Sequence, residues 1–372
     1  MIYLDYAASA PPWSEAAQIV QQTMLTQFGN PGALHCAGGQ ASVILQEARK
    51  TIAQLLEVRP EEVFFTSGGT EANNWAVKMG CMGRKRHIVV GAAEHSSVLA
   101  SARSLLAQGY TLTCVRPGQD GVIAPQAVEA ALRQDTALLC VQAVNNETGV
   151  LQDVAALAAL ARKNGTRYLC DGVQSFGHTA QPLHMADFIS LSAHKLGGPK
   201  GVGCLVVRYP NEIAPLLHGG GQEFGARSGT ENVPGSAGFA LAARLSVRAL
   251  REEQQRLEAL SAAFLSGLRD AVPGMTLNGE GGPRYPGILN CWFPGIFAEE
   301  MVLRLDQKGI CASPGAACAA RDPKPSHVLL AMGYPEQRAK ESVRFSLGRL
   351  TTAQELEDTV RAVQAIAGKK TR

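Results

Sequence analysis

Val63-Phe64-Phe65-Thr66-Ser67-Gly68-Gly69-Thr70-Glu71-Ala72 runs from an apolar triplet through two glycines into a stretch that suits a helix. The β-branched and aromatic residues at 63–65 favour a strand, and a helix is expected from about Glu71. Glycines let a backbone approach a ligand closely, and a helix N-terminus favours an anion. The turn around Gly69 and Thr70 is therefore a candidate phosphate cradle. It is not a Walker loop, because the Gly-x4-Gly-Lys-Ser/Thr spacing is missing. A helix start capped by Thr70 is the alternative for the same residues.

The strand-then-helix rhythm continues outward from this point. Short apolar runs at 87–90, 111–115, 136–141, 167–170, 188–191 and 202–207 are expected as strands. Helices are expected over 97–108, from Pro125, and over 154–164. Alternation of this kind makes βαβ units, so the fold class is α/β: a mostly parallel sheet with helices on both faces. Such sheets bind ligands at the carboxyl ends of their strands. Thr70, His95, Asn146, Asp171, Gln174, His194 and Lys195 all fall at those ends, which points to an enzyme. After about residue 245 the pattern changes to a long amphipathic helix (245–268), then a strand (288–293), a helix (298–308), a strand (343–346) and a closing helix (353–366). A large domain over 12–245 and a smaller α+β domain over 246–372 are expected.

Composition narrows the class. Hydrophobic residues make up 46% of 372 residues, enough for a sizeable core, and the net charge of +3 is too mild for a dedicated nucleic-acid surface. No apolar run reaches the roughly 18 residues of a membrane span. The start, Met1-Ile2-Tyr3-Leu4-Asp5, lacks the charged and apolar regions of a signal peptide. The nine cysteines are scattered with no Cys-x-x-Cys pair, so neither a metal site nor a disulfide framework is expected and a reducing cytosol fits. Most of them sit among apolar neighbours, as Cys140 and Cys170 do, and are expected as inert core thiols.

Two residues extend the chemistry. Lys195 follows an apolar run within Ser192-Ala193-His194-Lys195-Leu196-Gly197-Gly198. Partial burial would lower its pKa and free the amine for a Schiff base, while a lysine paired with a carbonyl or carboxylate is the alternative. Asp171 ends the preceding strand and can hold a protonated pyridine nitrogen. A phosphate cradle, a Schiff-base lysine and a pyridinium partner are what pyridoxal 5'-phosphate asks of a protein.

At this point the sequence resembles the cysteine desulfurases of the NifS/IscS type, in the aminotransferase class V group of fold-type I enzymes. The resemblance covers nearly the whole chain. It begins with Tyr3-Leu4-Asp5-Tyr6-Ala7-Ala8 and Phe28-Gly29-Asn30-Pro31, and continues through 65–74, Glu94-His95 and Asn145-Asn146-Glu147-Thr148-Gly149-Val150. Asp171-Gly172-Val173-Gln174-Ser175, 192–195, Arg227-Ser228-Gly229-Thr230 and 344–349 complete it. The resemblance adds residues 1–11 to the small domain. It implies that Lys195 carries the cofactor and that Asp171 pairs with the pyridine nitrogen. Gln174 and Asn146 would meet the ring hydroxyl, and His95 would stack on the ring and shuttle protons. Thr70, Ser192 and His194 would hold the phosphate, joined by Thr230 from the other subunit of a homodimer. Asn30 and Arg344 would bind the substrate carboxylate, a task that suits the guanidinium fork. By themselves Thr230 could be a loop residue, Arg344 a structural ion pair and His95 a helix cap.

Cys318 lies in Ala312-Ser313-Pro314-Gly315-Ala316-Ala317-Cys318-Ala319-Ala320-Arg321-Asp322-Pro323, a small-residue, proline-punctuated loop in which it is the only reactive group. It matches the family's sulfur-accepting cysteine, although the hydroxyl residues that usually flank that cysteine are alanines here. The implied activity converts L-cysteine to L-alanine, leaves a persulfide on Cys318 and passes the sulfur to an acceptor protein. That acceptor could serve iron–sulfur cluster assembly, tRNA thiolation or DNA sulfur modification. Selenocysteine lyase, cysteine-sulfinate desulfinase, a transaminase, or a non-catalytic sulfur-transfer partner are the alternatives.

Overall fold

The computed structural model describes residues 1–315 and 325–368. The chain opens with β1 (Ile2–Tyr3), α1 (Ser14–Thr26), α2 (Cys36–Leu56), β2 (Val63–Thr66), α3 (Gly69–Gly80), β3 (His87–Gly91) and α4 (Ser96–Ser104). It continues through β4 (Thr111–Val115), α5 (Pro125–Ala131), β5 (Thr136–Cys140), α6 (Val154–Lys163), β6 (Arg167–Asp171), β7 (Phe188–Ser192) and β8 (Gly203–Val207). The remaining elements are α7 (Val233–Ala271), β9 (Thr276–Leu277), β10 (Ile288–Trp292), α8 (Ala298–Asp306), β11 (Ile310–Cys311), α9 (His327–Ala331), α10 (Glu336–Lys340), β12 (Ser342–Ser346) and α11 (Ala353–Ala367).

Seven strands form one sheet in the order β2-β8-β7-β6-β5-β3-β4. β3 to β7 pair in parallel, whereas β8 is antiparallel to both β7 and β2. β2 therefore points the same way as β3 to β7, and only β8 runs against the rest. Successive side chains alternate between the faces, and both faces are buried. Val89, Leu139, Cys170 and Ile189 enter one core with Ile52 of α2, Leu157 of α6 and Phe239 of α7. Ile88, Val90, Leu138, Leu169 and Phe188 enter the other with Trp75 of α3 and Leu99 of α4. The near-continuous apolar strands of the sequence follow directly from this double burial.

A further core gathers Leu4, Leu257, Phe264, Phe293, Met301, Phe345 and Val363 around the antiparallel sheet β12-β10-β9. Phe264 and Phe345 meet edge to face with centroids 5.3 Å apart, an arrangement that adds about 0.5–1.5 kcal/mol to the area buried. β1 joins this region in parallel pairing with β11, Ile2 opposite Ile310. α7 serves both regions. It begins at Val233, with Pro234 in its first turn and the Asn232 side chain accepting from Gly235 N–H, well before the expected start at 245. Ser236, Gly238, Phe239, Ala240, Ala242 and Ala243 are all buried, and no charged residue occurs before Arg244, so the opening of the helix over 233–243 has no charged face to mark a helical period. Among the described residues no helix is long and apolar enough to cross a membrane.

Candidate active site

Because β2, β3, β5, β6 and β7 point one way, the loops that follow them share one edge of the sheet. There they surround a cleft of about 460 Å³ whose walls include Gly69, Thr70, His95, Asn146, Asp171, Gln174, Ser192, His194, Lys195 and Arg344. The seven polar residues expected at strand ends are thus brought together, joined by Ser192 and by Arg344 from β12.

The loop after β2 makes one wall. Gly68 has φ 153° and ψ −176°, a region essentially closed to residues with a Cβ. A Cβ on Gly69 would lie 2.7 Å from Val173 Cγ2, so the start of α3 can sit this close to the neighbouring loop only with glycine there. The first-turn N–H groups of a helix lack intrahelical partners, and those of α3 open beside Thr70 and Ser192. Glu71 braces the turn. Its Oε2 accepts from Ser67 N–H at 2.9 Å, and its carboxylate grips Arg227 at 2.8 and 3.2 Å. Burial opposes the Glu71 charge, but these donors hold its pKa below the usual value. His194 stands on the same side with Nδ1 3.3 Å from Ser9 Oγ. Burial, then Lys195 and Lys200, lower its pKa to about 4.

Asp171 closes β6. Its Oδ1 accepts from Val173 N–H at 3.0 Å and its Oδ2 from Asn73 Nδ2 at 2.7 Å. Lys195 ends a short 3-10 turn after β7 and donates from Nζ to the carbonyls of Ala7 and Ala8 at 2.6 and 2.9 Å. Gln174 Nε2 donates to the same Ala7 oxygen at 2.8 Å. His95 both caps α4 and lines the cleft: its Nδ1 accepts from Ser97 N–H at 3.1 Å. Burial lowers its pKa, with Lys195 and His327 adding to the effect and Asp171 opposing it.

Arg344 is 2% exposed. It donates to Asp5 Oδ1 at 2.8 Å and to the Asn146 carbonyl at 2.9 Å, while its Nε and the Asn146 Oδ1 are buried without partners among the described residues. Arg344 is thus the ion pair that its strand position allowed, yet it keeps a donor edge unmatched beside the cleft. Two expected residues stay outside the cleft of their own chain. Asn30 is exposed, its Oδ1 accepting from Gly32 N–H at 2.9 Å, and Thr230 is exposed on the glycine-rich loop. Cys318 lies outside the described residues.

Sequence reasoning passed over Asn73, Ser97, Glu147 and His327. His327 lines the cleft with Nε2 2.9 Å from the Glu94 carbonyl. Glu147 also lines it and accepts from the Ser326 hydroxyl. Asn73 was signalled by its place in the matching stretch 65–74 and three residues after Thr70, on the same helix face. Ser97 looks like any polar residue in a first helical turn.

The residues present fit pyridoxal phosphate. The glycine cradle is shaped by close approach, the Asn146 oxygen is buried and unpartnered, and the donor set pairs a lysine and an aspartate with a helix N-terminus. Among the described residues no cysteine lines this cleft, and no group of His, Cys, Asp or Glu is arranged to hold a metal. Burial raises the Cys81 and Cys291 thiols to about 12 and pushes Cys140, Cys170 and Cys204 upward too.

Comparison with known proteins agrees with this geometry. Residues 2–358 match the aminotransferase class-V family. A cysteine desulfurase IscS of Dictyoglomus turgidum is 35% identical over 99% of this chain and 95% of its own length. One from Serratia proteamaculans is 38% identical over 99% and 93%. Among solved structures, a NifS-like protein superposes with a TM-score of 0.92 at 32% identity, covering 99% of both chains. DndA from Streptomyces lividans superposes with a TM-score of 0.77 at 36% identity, over 90% of this chain and 96% of its own. The chain belongs to the aminotransferase class-V family, in its branch of NifS/IscS-type cysteine desulfurases.

Proposed function

We propose that this protein is a pyridoxal 5'-phosphate-dependent cysteine desulfurase, a transferase that converts L-cysteine to L-alanine and passes the sulfur to an acceptor through Cys318. The observation that carries this reading is the meeting of Lys195, Asp171 and the α3 N-terminus in one cleft. Lys195 would hold the cofactor covalently, Asp171 would keep a proton on its ring nitrogen, and His95 would lie over the ring. Asn146 and Gln174 would meet its hydroxyl, and Gly69, Thr70, Ser192 and His194 its phosphate. Bound there, the cofactor supplies an electron sink that labilises bonds around the substrate α-carbon.

The chain's own groups do the rest. Arg344 orients the substrate carboxylate with the donors it keeps beside Asp5. Lys195 Nζ, steadied by the Ala7 and Ala8 carbonyls, moves the α-proton. Cys318 Sγ, as thiolate, attacks the substrate sulfur: a sulfur–sulfur bond forms, the carbon–sulfur bond breaks with its electron pair left on the substrate carbon, that carbon takes up a proton, and alanine leaves. Ser313 pairs with Arg344 through their backbones and Ser326 bonds Glu147, so residues flanking the Cys318 segment on both sides touch the walls of the cleft.

A homodimer fits the surface. Phe28 is 81% exposed, and Met24, Leu25, Leu34, Val43 and Phe224 are exposed as well, a set that water alone does not favour. A second copy is what would bring Thr230 to a cleft, and Asn30 lies on the same kind of exposed loop. A cytosolic compartment suits a thiol that must stay reduced between turnovers. An acceptor for iron–sulfur assembly is one destination for the sulfur. The reading is tested by incubating the enzyme with cysteine labelled in sulfur and mapping the label. Label on the peptide containing Cys318, with one alanine released per label, supports it; alanine release without label on the protein refutes it.

A further inference from the structure

We infer that Asn73 and Ser97 are positioning residues that fix His95 as a hydrogen-bond donor at Nε2, and that this lock is tied to the Asp171 carboxylate. What His95 then faces rests on the desulfurase reading; the lock itself is a property of this chain.

Asn73 stands one turn into α3 and is 1% exposed. Its Nδ2 carries two hydrogens. One goes to Asp171 Oδ2 at 2.7 Å and the other to Ser97 Oγ at 3.0 Å. The carboxylate can only accept, so the amide must present its nitrogen to Asp171. Oδ1 is left buried without a partner among the described residues, so the amide serves here as a donor alone. Ser97 Oγ receives one of those hydrogens and directs its own proton at His95 Nδ1, 2.7 Å away. The Ser97 backbone N–H, which can only donate, reaches the same nitrogen at 3.1 Å. Two donors on Nδ1 leave no room for a proton there. The neutral ring therefore carries its proton on Nε2, the edge left for the cleft, because the bond made by one ring nitrogen decides the state of the other.

The consequence is chemical. A ring protonated at Nε2 and blocked at Nδ1 can donate into the cleft but has no lone pair to offer there. His95 would hold and orient what lies over it, and proton removal would fall to Lys195. The charged and titratable groups that face His95 from the surrounding elements are Asp171 at the end of β6, Lys195 after β7, Glu147 after β5 and His327 at the start of α9. Of these Asp171 alone is joined to the lock, through Asn73.

The test is NMR of the full chain with ring-nitrogen-labelled histidine, His95 being assigned from the signal lost in His95→Gln. The expected result is one protonated nitrogen, Nε2, throughout the neutral pH range, before and after addition of pyridoxal phosphate. Ser97→Ala removes the hydroxyl and Asn73→Leu removes its orientation. Both should raise the His95 pKa and populate the Nδ1-protonated form, while Ser97→Thr restores the wild-type pattern. An Nδ1-protonated ring in the wild type overturns the inference. So does a His95 that titrates in the ordinary histidine range and is unmoved by Ser97→Ala. Should either variant misfold, the wild-type and Ser97→Thr spectra still decide. An Nε2-protonated His95 in a protein that releases no alanine from cysteine would keep the lock and remove the desulfurase reading.

Discussion

Lys195 Nζ lies 2.6 Å from the carbonyl oxygen of Ala7. Lys195, in the turn after β7, is thereby gripped by the segment just after β1, 188 residues away in the sequence. Gln174 donates to the same oxygen, so the N-terminal segment forms a wall shared by two groups of the cleft.

In the proposed reading the lysine amine both holds the cofactor and moves the substrate proton. Lys195→Ala should lower alanine formation by about 10²–10⁴-fold, the range for loss of a positioned acid or base, and more if the cofactor is then lost. Borohydride reduction of the wild type followed by peptide mapping should place the pyridoxyl label on Lys195. Label on any other lysine would remove the assignment.

Arg49 and Glu223 form a buried pair, both side chains at most 3% exposed. The two guanidinium nitrogens contact the carboxylate at 2.9 and 2.7 Å, and Phe65 N–H donates to it at 2.8 Å. Arg49 also donates to the Val63 carbonyl. Glu223 and Phe224 have φ of 49° and 57°, a strained left-handed turn that the pair holds in place. Glu223→Ala strands a buried guanidinium and should cost about 3–5 kcal/mol of stability, read from denaturant unfolding. A loss within 0.5 kcal/mol would mean that the turn is held by something else.

The polar residues at strand ends were legible because the position of a strand end is local information, and a parallel sheet gathers such ends on one edge. Thr70, His95, Asn146, Asp171, Gln174, His194 and Lys195 meet for that reason. What spans long sequence distances was not legible. The Arg344–Asp5 pair joins residues 339 apart, and nothing in either local sequence announces it. The opening of α7, over 233–243, was missed because it is mostly buried and carries no charged residue to mark a period. α1 and α2 fell in a stretch given no element. Asn73 and Ser97 look like ordinary helix residues until Asp171 and His95 are seen beside them.

His194 gives the fold a pH dependence. Its folded pKa of about 4 is below the unfolded value near 6.5. The unfolded chain therefore binds the extra proton first, and stability falls as pH drops from about 6.5 towards 4. The side chain is partly exposed, so after allowance for solvent screening the loss is roughly 1–2 kcal/mol. In cofactor-free protein, His194→Gln should flatten part of this acid limb in a series of Tm measurements. An unchanged limb would assign the acid sensitivity to other histidines, such as His95 and His178, whose pKa values are lowered by burial too.

Thr230 is exposed on its loop while Arg227, three residues earlier, is held by Glu71 at the start of α3. The loop is thus anchored at the start of α3 of its own chain, and Thr230 is exposed on it. In a homodimer with shared sites, mixing Lys195→Ala subunits with inactive Thr230→Val subunits should create some sites with all native residues. Recovered activity in verified mixed dimers, up to about a quarter to a half of wild type by subunit statistics, is the expected result. No recovery would confine each site to one chain.

Cys318 separates a desulfurase from its pyridoxal-phosphate relatives. The sulfur must be taken by a nucleophile, and among the described residues no cysteine lines the cleft. Burial raises the pKa of Cys81, Cys140, Cys170, Cys204 and Cys291 and so keeps them in the unreactive thiol form. Cys36 and Cys114 are exposed but lie on α2 and β4, away from the cleft walls. Cys318→Ala should therefore still bind the cofactor and change its absorbance on addition of cysteine, because the groups that hold both are untouched. Alanine release should fall on the order of 10³-fold or more, as when a covalent nucleophile is removed. Selenocysteine can still be turned over, since selenium leaves without being attacked. Alanine and sulfide formed from cysteine at the wild-type rate would move the protein to selenocysteine lysis or sulfinate cleavage and leave Cys318 without a catalytic part.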